Sequence, residues 1–318
     1  MRCYLNNKKQ ENLELKKATE KLNDKRDFSI AVFFMLLSGL GFALMNLFSR
    51  LLIDIAPVQK TFYRNVIVFI ISALILAHSA KKEPRKLYKD RSDLTWLIIR
   101  SIFGTIGILA NFYTVDHMPI AIASVINKLS PFFTIIFAAI FLKEAINKVQ
   151  AMGIIMAFIG VVVLVRPGSE TSLLTLTPVF IGVVGALFAG AAYTSIRYLS
   201  KRSVDGQFIV VFFAGFAALS LLPWMLLNGV SMNLKQSFYM LLVGLAGLLG
   251  QYGITFAYKY ASANQVSIYD YSNVAFTTIF GIIFLDQIPM KLDFLGILII
   301  FSASLLMFLY NRRQGNGK

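Results

Sequence analysis

Lys128 and Asp270 stand in the middle of apolar runs, within the segments ASVINKLSP and VSIYDYSN. A charged side chain at that depth in a membrane is costly unless it meets water, a partner or a cavity, so both are functional candidates. Their neighbours are polar too, since Asn127 precedes Lys128 and Tyr271 follows Asp270. An ammonium group can bind a substrate carboxylate or phosphate, and a carboxylate can take an amine or a proton. The four residues therefore make a candidate binding site, with Asp270 as the candidate for proton coupling. The alternative is a structural Lys128–Asp270 ion pair that neutralises both charges without touching substrate. A pair that opens as substrate enters would do both. Pro131, in NKLSP, has no N–H to donate and crowds the carbonyl of Asn127, so it is expected to break its helix and free that carbonyl toward the same site.

Arg64 in FYRNVIVF and Arg100 in WLIIRSIFG lie a few residues inside their own apolar runs. Facing inward, guanidinium groups would bind carboxylate or phosphate as bidentate forks; facing outward, they would snorkel to the interface. Asn46, Asn111, Tyr113, Tyr193, Gln251 and Tyr252 also fall in or near the ends of apolar runs and could contact a ligand, with helix-to-helix hydrogen bonds as the alternative for each. Catalytic chemistry is poorly supplied. Cys3 is the only cysteine, so no internal disulfide or thiolate metal site can form. His78 and His117, the only histidines, fall at opposite ends of the expected spans, which speaks against a metal site or a catalytic pair. Asp116, Glu144 and Asp286 read as interfacial acids at span ends. Neither an HExxH motif nor a glycine loop before GK[ST] occurs, so no catalytic residue, metal, cofactor or ATP-driven step is expected.

The elements that must position these residues are set by composition. Of 318 residues, 57% are apolar and only 15% charged, with mean hydropathy +0.68, which calls for lipid as solvent. Apolar runs of about 20 residues cross a hydrocarbon core of roughly 30 Å as helices. Ten such spans are predicted: Ser29 to Phe48, Thr61 to Leu76, Leu94 to Tyr113, Ile120 to Leu142 and Ala151 to Val165, then Pro178 to Tyr198, Phe208 to Leu227, Phe238 to Ala257, Ala263 to Leu285 and Phe294 to Tyr310. Residues 1–28 are highly charged and read as an uncleaved cytoplasmic tail, with 312–318 as a second.

The net charge of +15 is spread over tails and loops rather than one soluble face, so topology accounts for it better than nucleic acid does. Basic residues of short loops mark the cytoplasmic side. They collect on the N-terminal side, including Lys81, Lys82, Arg85, Lys86, Lys143, Lys148, Arg197, Lys201, Arg202, Lys259, Arg312, Arg313 and Lys318. Only Arg50, Lys60, Arg166, Lys235 and Lys291 fall opposite. Both termini are therefore expected in the cytoplasm, with the chain in the inner membrane.

A shift of 143 residues aligns Ala123–Glu144 with Val266–Gln287 without gaps, pairing Ser124 with Ser267, Phe133 with Phe276, Thr134 with Thr277, Phe137 with Phe280 and Leu142 with Leu285. Gly107 then falls on Gly250, Gly153 on Gly296 and Phe158 on Phe301. Asn127 matches Asp270, and Lys128 matches Tyr271. Each half holds an odd number of spans, so two copies must sit in opposite orientations, the inverted repeat of secondary transporters.

The segment RSIFGTIGILANFYTVDHMPIAIASVINKLSPFFTIIFAAIFLKE, with a glycine-containing span ending in VVVLVRP, resembles the EamA type of the drug/metabolite transporter superfamily. The resemblance covers nearly the whole chain after residue 28. It implies an all-α membrane protein of ten transmembrane helices, built as two inverted five-helix repeats (29–166 and 177–311), with spans 1 to 4 and 6 to 9 around a central cavity. It implies transport but no particular substrate. The expected partners are a small metabolite and the lipid bilayer, no nucleic acid, and a homodimer is compatible with the reading. A flippase of a lipid-linked headgroup is the alternative, with a polytopic membrane enzyme behind it.

Overall fold

A computed structural model describes residues 2–82, 87–143, 145–165, 176–260 and 267–315. Arg85, Lys86, Glu144, Arg166 and Lys318 lie outside these residues, as does Ala263, where the ninth span is expected to begin. So do the side chains of Lys81, Lys82, Lys259, Arg312 and Arg313.

No strand occurs among the described residues, as lipid demands of long apolar runs, because a helix satisfies its own backbone hydrogen bonds. The helices are α1 (Arg2–Arg50), α2 (Pro57–Lys82), α3 (Arg91–His117), α4 (Ile120–Asn127), α5 (Ser130–Leu142), α6 (Lys148–Val165), α7 (Leu176–Lys201), α8 (Gly206–Asn228), α9 (Leu234–Tyr260), α10 (Ser272–Leu285) and α11 (Lys291–Gly315). A five-residue 3-10 helix, Ser267–Tyr271, precedes α10. Among the described residues, 9 helices have the length and hydropathy to cross a membrane, with α4 and α5 counted as one broken span and the 3-10 helix joined to α10 as another. The tenth, α6, is shorter and apolar. The polar stretch before the first span is continuous with it, so α1 runs for 49 residues.

Packing follows a two-fold rule in which each element of one repeat has a counterpart in the other. Helix α1 packs on α9, and its counterpart α7 on α3; α1 also packs on α10, as α7 does on α5. Helix α2 packs on α9, as α8 does on α3. The pairs α2 with α8 and α6 with α11 join each element to its own counterpart. The helix boundaries repeat as well. Lys143 and Asp286, 143 residues apart, both cap their helices in the left-handed region, at φ 55° and 52°. Helices α6 and α9 begin with reciprocal caps, Asn147 with Gln150 and Asn233 with Gln236, while α3 and α11 use Asp90 with Asp93 and the Met290 N–H with Asp293. Each of these positions maps onto its counterpart with the same shift of 143.

The fourth span is broken next to Pro131, as its sequence suggests. Helix α4 ends at Asn127, and Pro131 sits in the first turn of α5, where its missing N–H is tolerated. The ninth span breaks at the equivalent place, although its counterpart of Pro131 is Val274. The interruption therefore belongs to the repeat, and proline is not required for it.

Candidate functional site

The broken spans and six helices around them, α1, α2, α3, α7, α8 and α9, enclose a cavity lined by Phe42, Met45, Asn46, Arg64, Arg100, Gly104, Asn111, Ser124, Asn127, Lys128, Tyr193, Phe213, Gln251, Asp270 and Asn273, among others. Its free volume of about 90 Å³ is room for on the order of six waters, or a small organic acid. Arg100 is nine residues into α3 and Lys128 eight residues into its span, depths of about 12–14 Å at 1.5 Å per residue. The site is thus near mid-membrane.

Lys128 caps the C-terminus of α4, and Asp270 lies in the 3-10 helix, so each stands at the break of its span. Their side chains meet, with Lys128 Nζ donating to Asp270 Oδ2 at 2.7 Å. The ion pair weighed as the alternative is present, and both members line the cavity. Asp270 Oδ1 is buried and accepts no hydrogen bond from the described residues.

Arg64 and Arg100 face inward. They are 1% and 3% exposed, which rules out snorkelling in this conformation. Neither has a carboxylate within ion-pair distance among the described residues. Arg64 Nη1 donates to Asn65 Oδ1 at 2.9 Å, and the Asn65 amide is itself held by the carbonyl of Thr61. Arg100 lies over the Phe213 ring, its Cζ 3.9 Å from the centroid. A glycine makes room for each guanidinium. A Cβ on Gly104 would come within 2.1 Å of Arg100 Nη1, and one on Gly247 within 2.8 Å of Arg64 Nε. Gly104 and Gly247 are counterparts in the repeat. The two sites differ in what fills the groove beside the glycine, Arg64 from α2 in one and Phe213 from α8 in the other. Counted from their helix starts, Arg64 and Phe213 hold the same position.

Neutral polar groups complete the lining. Asn111 donates to Asn46 Oδ1 at 3.1 Å, and Asn46 donates to Ser124 Oγ at 3.2 Å, a relay across three helices. Asn127, Tyr193 and Gln251 also line the cavity. Three expected contacts are not formed there. Tyr271 turns away, its hydroxyl bonded to Ser304 of α11 and in reach of the Lys128 carbonyl at 3.5 Å. Tyr113 stacks on His117, ring centroids 4.0 Å apart, at the end of α3, and Tyr252 lies outside the lining. Sequence reasoning missed Phe213, Ser124, Gly104 and Asn273. The repeat register carried a signal for the last two, because Gly104 falls on Gly247 and Asn273 on Ser130.

Asp116 also departs from expectation. It is buried and paired with Lys60 at 2.6 Å, while Lys60 donates to the Ser49 carbonyl and Arg50 to the carbonyls of Val115 and Asp116. These groups tie α1, α2 and α3 together at one end of the bundle, away from the cavity lining. At the opposite end, Arg202 bonds Asp90 and Asp93 at the start of α3, and these carboxylates hold its guanidinium above the usual arginine range. Among the described residues, no group of three or more His, Cys, Asp or Glu side chains is arranged to hold a metal.

Comparison with known proteins accords with this architecture. An uncharacterised transporter of Helicobacter pylori is 27% identical over 287 residues, covering 87% of this chain and 94% of its own. A pseudopaline exporter of Pseudomonas aeruginosa is 28% identical, with 87% and 95% covered, and human solute carrier family 35 member G1 is 29% identical, with 82% and 73% covered. A solved crystal structure, 18% identical, shares the fold at a TM-score of 0.57, covering 87% of this chain and 98% of that one. The EamA-like transporter family matches residues 29–166 and 176–309. The chain is therefore a multi-pass membrane protein that belongs to the EamA-like transporter family of the drug/metabolite transporter superfamily.

Proposed function

We propose that this protein is a secondary transporter of a small anionic metabolite bearing a carboxylate or phosphate, working by alternating access from the inner membrane with both termini in the cytoplasm. The observation that carries the substrate polarity is the pair of buried arginines in the cavity wall, neither with a carboxylate within ion-pair distance among the described residues. An unpaired buried cation is costly, and a guanidinium recovers that cost by binding carboxylate or phosphate in a fork. The relatives named as transporters and as an exporter support transport over catalysis. Asp270 is the candidate for a coupled proton, because it is a carboxylate in the cavity lining whose Oδ1 accepts no hydrogen bond from the described residues. The inverted repeat supports alternating access, since two packings of one fold in opposite orientations can exchange roles across a fixed central site.

The test is a melting-temperature screen of the purified protein against amino acids, organic acids, phosphates, neutral sugars and amines. A ligand that binds only the folded state raises the melting temperature with concentration. Anions should do so while sugars and amines do not. Stabilisation by cations or neutral solutes alone would overturn the proposal.

A further inference from the structure

Lining charges in the cavity are three cations and one carboxylate: Arg64, Arg100, Lys128 and Asp270. The Lys128–Asp270 contact at 2.7 Å cancels one pair. The remaining +2 is held by two guanidiniums that come from different helices, rest on different supports (Gly247 for Arg64, Gly104 and Phe213 for Arg100), and repel one another. Such an arrangement is poor as structure. Among the described residues, neither arginine ties two elements together through an ion pair, and burial of two like charges works against the fold. It is well suited to a ligand that brings two negative charges into the cavity together.

We infer that the site recognises a small dianion with two separate anionic groups, carboxylates first among them, one held by Arg64 and the other by Arg100. This rests on the anion-transport reading and narrows it. A zwitterion with a single carboxylate brings no net charge to set against this +2, and a monocarboxylate offsets only one of the two. The supports make the two subsites distinct. Each guanidinium packs against its own glycine, so the distance between the subsites is fixed by α2 and α3 rather than by flexible side chains, and dicarboxylates of different length should be told apart. The Asn46–Asn111 relay and Tyr193 hydroxyl supply neutral hydrogen bonds to the connecting skeleton.

The experiment measures ligand-induced stabilisation and competition for uptake in proteoliposomes, using malonate, succinate, glutarate, adipate, aspartate and glutamate. Each is run beside its monomethyl ester, which removes one charge and keeps the skeleton. The best dianion should bind about ten- to hundredfold more tightly than its monoester, the range expected for losing charge-assisted hydrogen bonds to one group. Arg64→Gln and Arg100→Gln should each abolish that preference, binding acid and ester within a few-fold of each other. Because the wild-type comparison needs no variant, misfolding of either variant leaves the inference open to refutation. Equal affinity of acids and monoesters in the wild-type protein would overturn two-point recognition while leaving anion transport standing. Tightest binding by inorganic phosphate or chloride, with no preference among the organic acids, would overturn it as well. Failure of every anion to bind would instead remove the anionic-substrate reading on which it rests.

Discussion

Replacing Lys128 with Met removes the only hydrogen-bond donor that the described residues offer to Asp270, whose other oxygen already accepts nothing. At 2.7 Å and an effective dielectric of about 20, the Coulomb attraction of the pair is roughly 6 kcal/mol, most of it offset by the cost of taking both charges out of water. The offset is large because the two side chains are only 7% and 14% exposed. Removing one partner keeps the desolvation cost of the other and loses the attraction, so Lys128→Met should destabilise by about 3–5 kcal/mol. Asp270→Asn should do comparable damage by stranding the ammonium. The double variant Lys128→Met/Asp270→Asn strands neither charge, and it should recover about 2–3 kcal/mol of the summed single losses. The assay is a double-mutant cycle on unfolding in mixed micelles of increasing SDS fraction, with anion binding measured on each variant. Retained anion binding in the double variant would make the pair structural, and lost binding would make Lys128 or Asp270 a ligand. Additive single losses, with a coupling below about 0.5 kcal/mol, would refute the account of the pair.

Gly104→Ala and Gly247→Ala should displace Arg100 and Arg64, since the added Cβ would collide with each guanidinium at 2.1 and 2.8 Å. Anion affinity measured by ligand-induced stabilisation should fall about tenfold, the low end for disturbing a charged hydrogen bond. Asp116→Asn leaves the fully buried Lys60 without its carboxylate and should cost about 3–5 kcal/mol in the same unfolding assay, with little change in anion affinity. In proteoliposomes, Asp270→Asn transport should cease to respond to an imposed pH gradient while exchange of anion for anion persists. Cys3, the single cysteine, allows a direct topology test: a membrane-impermeant maleimide should label it in inverted vesicles and not in intact spheroplasts.

Much of this arrangement is legible in the sequence. That Lys128 and Asp270, set within apolar runs, meet a partner or a cavity follows from a strong rule, that lipid penalises charge wherever neither compensates it. The inward choice of Arg64 and Arg100 was not legible. A guanidinium near a span end can turn either way, and the deciding feature was a glycine on a distant helix for Arg64 and an aromatic ring for Arg100. Tyr271 misled because the repeat register equates it with Lys128 in depth, whereas its ring turns to pack against α11 and its hydroxyl bonds Ser304. Asp116 misled for a related reason. Proximity to a helix end implied an interface, but Lys60 and Arg50 converge there and bury it.

The two-fold relation also bears on how the site could be exposed to one side at a time. At one end of the bundle, Gln59 near the start of α2 exchanges two hydrogen bonds with the backbone of Val230, just before α9, at 2.8 and 3.0 Å. At the other end, the segment entering α8 meets the segment entering α3, where Arg202 bonds Asp90 and Asp93 and the Asp205 N–H reaches the Leu87 carbonyl. Both contacts join one repeat to the other, at topologically equivalent places, but one is neutral and the other ionic. Salt screens exposed charges and leaves amide hydrogen bonds nearly untouched. Raising ionic strength should therefore loosen the Arg202 end selectively, and hydrogen exchange should rise at residues 87–93 while staying constant at residues 228–234. Arg202→Gln should remove the salt response, because a neutral side chain makes the two ends alike. Equal salt sensitivity at both ends would show that these contacts do not hold the repeats together.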